Sequence, residues 1–350
     1  MASKPVNDNV YDVLVIGAGP AGCEASAAAC RAGAAVLTLC INVDTIGLHP
    51  GSPVIAKSND DPRFLLLEEL SNLAGLLPLI LRSKKVAAAE ISSTGMIAER
   101  RRLSLAYQEA LQFEDVEIRQ ALVTSLRRTE ECWVVDANFG ERFKTACVVM
   151  AAGTFLGGVI EAGNSLSPGG RRGEIPANAL ARCLDELGLK TERVRAVASP
   201  HLDSRSLHAG GKRCPPVQWP PEIAPSEIYG NNFKTDENCA VALSSLRADF
   251  PGAWITRAGY TVHHQALAAN QIDKTLEAKA LPGLFFAGRA AGCMYFSEAA
   301  VLGAIAGKNA ACRALGRESL LPGPASGISA LLCGAVAHYI TRPASILTQI

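Results

Sequence analysis

Three glycines near the start of the chain have the type and spacing needed to hold a phosphate. Gly17-Ala18-Gly19-Pro20-Ala21-Gly22 reads GxGxxG. The first glycine permits a tight turn, the second lets the backbone approach a pyrophosphate, and the third lets a helix pack on a strand. The anion then rests on free N–H groups at the helix N-terminus. Two further segments end in turns small enough for close approach by a cofactor: Val148-Val149-Met150-Ala151-Ala152-Gly153-Thr154 and Leu284-Phe285-Phe286-Ala287-Gly288. Cys293 follows the second of these and is a candidate catalytic thiol. His263-His264 follow the Gly259-Tyr260 turn, where an imidazole could polarise a substrate carbonyl.

These residues need elements to position them. Tyr11 to Ile16 is a short apolar run of the kind buried in a parallel sheet. A helix of small residues follows to about Arg31, then a second strand, Ala35 to Cys40, completing a β-α-β unit around the glycines. Asn42 to Asp61 reads as a long functional loop. Helical patterns cover Phe64 to Leu81 and Met96 to Phe113, with Leu73 to Leu81 a loop or short core helix because of Pro78. Short strands occupy Val116 to Val149, one helix lies near Asn178 to Leu187, and another runs from Ser297 to Leu315. The proline- and glycine-rich stretch from Glu161 to Pro225 marks a smaller unit set into the first. The expected fold is α/β, a Rossmann-type domain with a parallel sheet plus an inserted mixed α/β domain. Residues 1–160 and 263–350 form the first, and 161–262 the second, substrate-binding one.

An NAD site places an acid at the end of the second strand, about 20 residues beyond the glycines, to hold the ribose. Here that strand ends in Thr38-Leu39-Cys40, and Asp44 comes four residues late. A single GxGxxG leaves no second domain dedicated to NAD(P)H. FAD is therefore the expected cofactor. Its expected contacts are Gly17 to Gly22 (with Ala18, Gly19, Pro20 and Ala21), Cys40, Asn42, Ala152, Gly153, Thr154, Gly288, Arg289, Glu298 and Ala299.

Composition narrows the class. A hydrophobic fraction of 49% excludes a disordered or fibrous chain, and a net charge of +1 offers no global basic field for nucleic acid. Eleven cysteines without a CxxC pair read as reduced, buried thiols rather than a disulfide framework or zinc site. Met1 to Asn9 is too short and polar for a signal peptide, and no run approaches the roughly 20 apolar residues of a spanning helix. A soluble cytoplasmic protein is expected. Basic clusters at Lys84-Lys85, Arg100-Arg101-Arg102, Arg127-Arg128 and Arg171-Arg172 read as phosphate contacts or as solvated faces, with Arg171-Arg172 the pair expected near a ligand.

Several blocks, in order, resemble the MnmG (GidA)/TrmFO family of RNA-modifying flavoproteins. Val15 to Ala25 with Asn42 to Gly47 looks like the MnmG opening. Ala152 to Gly158, Ser167 to Gly173, Arg257 to Tyr260, Lys274 to Lys279 and Gly283 to Gly288 continue the match, while Ala330 to Thr341 is closer to TrmFO. The resemblance implies FAD, methylenetetrahydrofolate as carbon donor, NAD(P)H as electron source and uracil C5 in tRNA or other RNA as acceptor. It also implies a homodimer and, for MnmG, a GTPase partner and a long C-terminal helical region that engages tRNA. Gly51 stands where the family has a cysteine, and glycine cannot add to uracil C6. Cys214, flanked by Lys212 and Arg213, matches the family's second cysteine, and the adjacent cations would lower its pKa. His49 is then the titratable group left between Gly47 and Pro53, a candidate acid or base. Glu298 fits the family's acid at the last helix, where it would otherwise only complement the helix dipole. The expected function is one-carbon transfer to uracil. The alternative is an FAD/NAD(P)H oxidoreductase acting on a small molecule.

Overall fold

Mostly branched aliphatic residues make β1 (Val10–Ile16), and Pro20 opens α1 (Pro20–Arg31) in the first turn, where its missing N–H costs nothing. The return strand β2 (Val36–Cys40) is wholly buried and lies parallel to β1, with Val13 opposite Val36 and Ile16 opposite Leu39. A computed structural model of the chain describes residues 10–48, 70–83, 100–162, 165–198, 254–293 and 295–321. It also gives the backbone of short strands at 54–56, 96–97, 201–203, 208–209, 212–213 and 227–229.

Two of those short strands, β3 (Val54–Ala56) and β4 (Met96–Ile97), pair antiparallel. Between them lies α2 (Leu76–Arg82), and α3 (Arg100–Gln112) follows. Pro78 sits in the first turn of α2, where a missing N–H is harmless, so the helix forms despite it. The chain then adds β5 (Val116–Gln120), β6 (Val123–Arg128), β7 (Trp133–Ala137) and β8 (Arg142–Met150). With β18 (Leu284–Phe286) these make a seven-stranded sheet in the order β5-β2-β1-β8-β7-β6, with β18 beside β8. The order is the outcome of β8 dividing one flank. Its first residues pair antiparallel with β7, and Val148–Met150 pair parallel with β18.

A second, four-stranded antiparallel sheet has the order β10-β9-β17-β11. It contains β9 (Val159–Ala162), β10 (Ser165–Pro168), β11 (Thr191–Ala198) and β17 (Tyr260–Leu267). Strands β12 (His201–Asp203), β15 (Glu227–Tyr229) and β16 (Ile255–Arg257) form a third sheet, and β13 (His208–Ala209) pairs with β14 (Lys212–Arg213). The helix α4 (Asn178–Glu186) lies between β10 and β11 in sequence but packs on β6 of the main sheet. There the Leu126 N–H donates to Cys183 Sγ at 3.2 Å.

One face of the main sheet buries α1, α2, α3 and the last helix, α5 (Phe296–Ala314), while the other buries α4. Helices α1 and α5 meet along small side chains, which lets their backbones approach closely. Among the described residues no helix is long and apolar enough to cross a membrane, and no cluster of side chains could hold a metal ion.

Candidate functional site

The glycine loop forms as its spacing requires. Gly17 has φ +102°, a region that favours glycine, and its N–H donates to the Leu39 carbonyl at 2.7 Å. A methyl on Gly17 would overlap the Ala151 carbonyl, and one on Gly22 would overlap the Gly17 carbonyl. Gly19 differs: nothing lies within 4 Å of where its Cβ would stand. The first helical bond of α1 runs from the Cys23 N–H to the Gly19 carbonyl at 2.9 Å, so the N–H groups of Ala21 and Gly22 have no intrahelical partner. The first turn carries no acid. This is the open, positively polarised cradle that a pyrophosphate fits.

Beyond β2 the chain passes Cys40 and reaches Asn42, whose Oδ1 accepts the Asp44 N–H at 2.9 Å and caps a short turn. Asp44 itself is exposed and does not line the cleft. The following loop is held by α3. Ser104 Oγ donates to the Ile46 carbonyl at 2.6 Å, and Gly47 lies against the Tyr107 ring. Tyr107 in turn donates to Glu24 Oε1 at 2.8 Å. Glu24 is completely buried on α1, and its two oxygens also accept the Leu76 and Leu77 N–H groups at 2.7 Å, capping α2. Burial pushes the Glu24 carboxyl up to about 7. One carboxyl therefore ties α1, α2 and the support of the 42–48 loop together.

Two more turns complete the walls. At the end of β8, Thr154 Oγ1 donates to the Gly170 carbonyl at 2.6 Å, joining that turn to the next loop. Arg171, ion-paired through both nitrogens with Glu174, lies over the Phe155 ring, 5.8 Å from its centre. After β18, Gly288 and Arg289 open a turn that leads to Tyr295 and α5. The roof is one face of the antiparallel sheet, carrying Ala196, Ala198, Tyr260 and Val262. These walls enclose about 1320 Å³ of empty space, open mouth included.

Gly17, Ala18, Gly19, Pro20, Ala21, Cys40, Asn42, Ala152, Gly153, Thr154, Gly288, Arg289 and Ala299 all line this cleft. Gly22 and Glu298 do not. Gly22 serves the turn from beneath, and Glu298 Oε2 accepts the Tyr295 N–H at 3.0 Å, capping α5. Cys293 is buried away from the cleft, and burial pushes its thiol up to about 12, so the structure leaves it a packed thiol. Cys40 lines the cleft, but burial holds its thiol at about 11. His263 Nε2 lies 2.6 Å from Glu161 Oε2 on the neighbouring strand. His264 is buried, and its Nε2 has no hydrogen-bond partner among the described residues. Burial first, and then the charge of Arg289, lower its pKa to about 3. Cys214, His49 and Gly51 lie outside the described residues. Sequence reasoning missed Phe155, Leu122, Val123, Tyr295 and the roof residues. The period-two pattern of Tyr260, Val262 and His264 was the available signal for part of the roof.

Fold and cleft together define an α/β protein with the architecture of FAD-dependent oxidoreductases. Its overlay on Aquifex aeolicus GidA gives TM-scores of 0.80 and 0.81 in two crystal forms. Identity is 24% and 23%, covering 96% and 95% of this chain and 68% and 71% of that one. The GidA-related protein of Thermus thermophilus overlays with a TM-score of 0.53 at 17% identity, covering 85% of this chain and 96% of that one. In sequence, residues 12–212 and 222–318 match the family model described as glucose inhibited division protein A, and the chain belongs to that family. A relative is the tRNA uridine 5-carboxymethylaminomethyl modification enzyme MnmG of Geotalea uraniireducens (strain Rf4). It is 26% identical over 408 residues, covering 90% of this chain. The chain spans 64% of that relative's length.

Proposed function

We propose that this protein binds FAD in the cleft and uses it in folate-dependent one-carbon transfer to uracil C5 in tRNA or a related RNA. The observation that carries the reading is the open glycine cradle at Gly19, set in a cleft assembled from family-matched segments at both ends of the chain. The free N–H groups of Ala21 and Gly22 would meet the pyrophosphate, and Cys40, Asn42 and Leu122 would flank the nucleoside end. Bound flavin would supply reversible two-electron transfer between NAD(P)H and the carbon being delivered. Arg289 would hold negative charge at the opposite end, and Tyr260 with Val262 would exclude water from above. Uracil chemistry also needs a nucleophile at C6, and Cys214 is the residue the family resemblance offers.

A second reading is an FAD/NAD(P)H oxidoreductase acting on a small molecule. What favours it is the state of the described thiol in the cleft: Cys40 is held as a neutral thiol by burial. The domain boundaries expected from sequence, the cytoplasmic location and a homodimer belong to the same proposal.

The test is the visible spectrum of the purified protein, followed without oxygen through NADPH, methylenetetrahydrofolate and then tRNA. One-carbon transfer predicts flavin that NADPH bleaches, that responds to folate and that labels RNA from a carbon-14 donor. Reduction by NADPH with no response to folate or RNA selects the small-molecule reading. A colourless protein that cannot be loaded with FAD overturns both.

A further inference from the structure

A second cavity lies beside the cleft, and Tyr260 and Glu174 line both. It holds about 790 Å³ of space, open solvent included. The roof of the cleft continues over it. Val262 pairs with Ile160, and Ile160 pairs with Ser167, so one sheet face passes from the apolar roof to the hydroxyls of Ser167 and Ser165. The floor is the tight turn from Arg171 to Glu174, closed by the Glu174 N–H donating to the Arg171 carbonyl at 2.9 Å. Gly173, at φ +83°, makes that turn possible.

The charges of this turn are sorted. Arg171 and Glu174 neutralise each other across the turn. Arg172 lines the second cavity, its side chain exposed and without an ion-pair partner among the described residues. Its backbone is anchored, because its N–H donates to the Tyr260 hydroxyl oxygen at 3.4 Å. The cavity is therefore lined by one cationic residue, two serines and the apolar residues Ile160, Pro168 and Ile175. A planar, bidentate cation beside hydroxyl donors recognises a phosphate oxyanion, while the apolar walls accept an uncharged ribose or base.

The geometry points to a phosphate-ester subsite in this second cavity, centred on Arg172, for a nucleotide whose reacting ring enters the cleft past Tyr260. It deepens, and for its RNA source rests on, the reading of the cleft as a uracil-modifying site. The phosphate belongs either to an RNA strand or to the dinucleotide electron donor, and the two sources separate experimentally.

The experiment uses the FAD-loaded protein and two probes: a fluorescent oligouridylate followed by anisotropy across a salt series, and NADPH followed by the dependence of flavin reduction on its concentration. Variants are Arg172→Ala, Arg172→Lys and, as a charge-matched control at the exposed end of β6, Arg127→Ala. For an RNA phosphate, Arg172→Ala weakens oligouridylate binding several-fold and lowers the slope of log affinity against log salt by about 0.7. Arg172→Lys recovers the slope but only part of the affinity, and Arg127→Ala changes neither. If Arg172→Ala instead weakens NADPH several-fold and spares the RNA, the subsite holds the donor's phosphate. If the wild-type protein binds no oligouridylate, the RNA reading fails while the NADPH arm still decides the subsite. Arg172→Ala without effect on either probe, or neither probe binding the wild-type protein, overturns the proposal. Equal flavin content across the variants separates these outcomes from misfolding.

Discussion

Gly303 on α5 sits against the carbonyl of Ala21 on α1, so closely that a single methyl group at Gly303 would overlap that oxygen. Gly307 meets the Ala25 carbonyl in the same way one turn further on. The last helix thus supports the helix whose first turn forms the glycine cradle. Gly303→Ala sets two effects against each other. Alanine improves helix propensity by about 1 kcal/mol, whereas overpacking against fixed backbone costs roughly 1–3 kcal/mol. The overlap is with backbone, which cannot rotate away, so the second effect wins. Expected are a lower urea midpoint and weaker FAD retention, both read on the same preparation; an unchanged or raised midpoint contradicts this packing.

The three glycines of the cradle separate by consequence. Gly19→Ala meets no protein atom but fills space the pyrophosphate needs, so it should fold with near wild-type stability and purify without flavin. Gly22→Ala strikes the Gly17 carbonyl and should cost roughly 1–3 kcal/mol of stability as well. Thermal melts of the apo forms and flavin absorbance of the reconstituted forms tell the two apart. Full flavin retention by Gly19→Ala refutes the cradle.

Glu24 should make the fold sensitive to rising pH. Its carboxyl is lifted from an ordinary 4.5 to about 7 by burial, so the folded state holds the proton more tightly than the unfolded chain. This contribution is fully present below pH 4.5 and is lost as pH rises through about 7. At about 1.4 kcal/mol per pKa unit it amounts to roughly 3 kcal/mol. Glu24→Gln removes that slope while leaving three donors with one oxygen between them, a cost of about 1–3 kcal/mol. Urea midpoints of both proteins between pH 5 and 8 provide the check, and parallel curves would refute it.

His264 acts in the opposite direction. Its imidazole is kept neutral, with the pKa lowered from 6.5 to about 3. The unfolded chain binds the proton first, so stability is complete above pH 6.5 and falls as pH drops toward 3. The upper bound is roughly 5 kcal/mol. His264→Phe should flatten the acid limb of the stability curve; an acid limb that survives unchanged places the proton uptake elsewhere.

Cys293 should be inert. With burial pushing its thiol up to about 12, a negligible fraction is thiolate at pH 8. Iodoacetamide should label it in urea but not in the native protein, and Cys293→Ser should leave flavin reduction by NADPH intact. Native labelling at the rate of a free thiol rules out this burial.

What the sequence disclosed followed the range of its signals. The glycine loop, β1, α1 and β2 were legible because their pattern is local: an apolar run, a fixed glycine spacing and a second apolar run. Pro78 obscured α2 because only its position within the first turn makes proline harmless, and that position depends on where Gly75 ends the preceding turn. Glu24 read as one more residue of a small-residue helix. Its role depends on Leu76, Leu77 and Tyr107, more than fifty residues away in the chain. The roof was hidden for the same reason. Ala196 and Ala198 face the cleft only because β11 pairs with β17, which begins some sixty residues later. Glu298 was ambiguous between chemistry and capping, and the capping bond from the Tyr295 N–H could be seen only once the turn before α5 was placed.

The divided flank of β8 has a consequence for synthesis. Val148–Met150 pair with β1 on one side, but on the other their parallel neighbour is Leu284–Phe286, so a ribosome must add all of residues 151–283 before that edge is covered. Throughout that interval the growing chain displays an apolar strand with unsatisfied backbone groups, the kind of edge on which nascent chains aggregate. Completion of the cleft is delayed to the same moment, because Gly288 and Arg289 emerge directly behind β18. The sheet and the cleft it walls are therefore completed together, by a segment near the end of the described chain, and not domain by domain during translation.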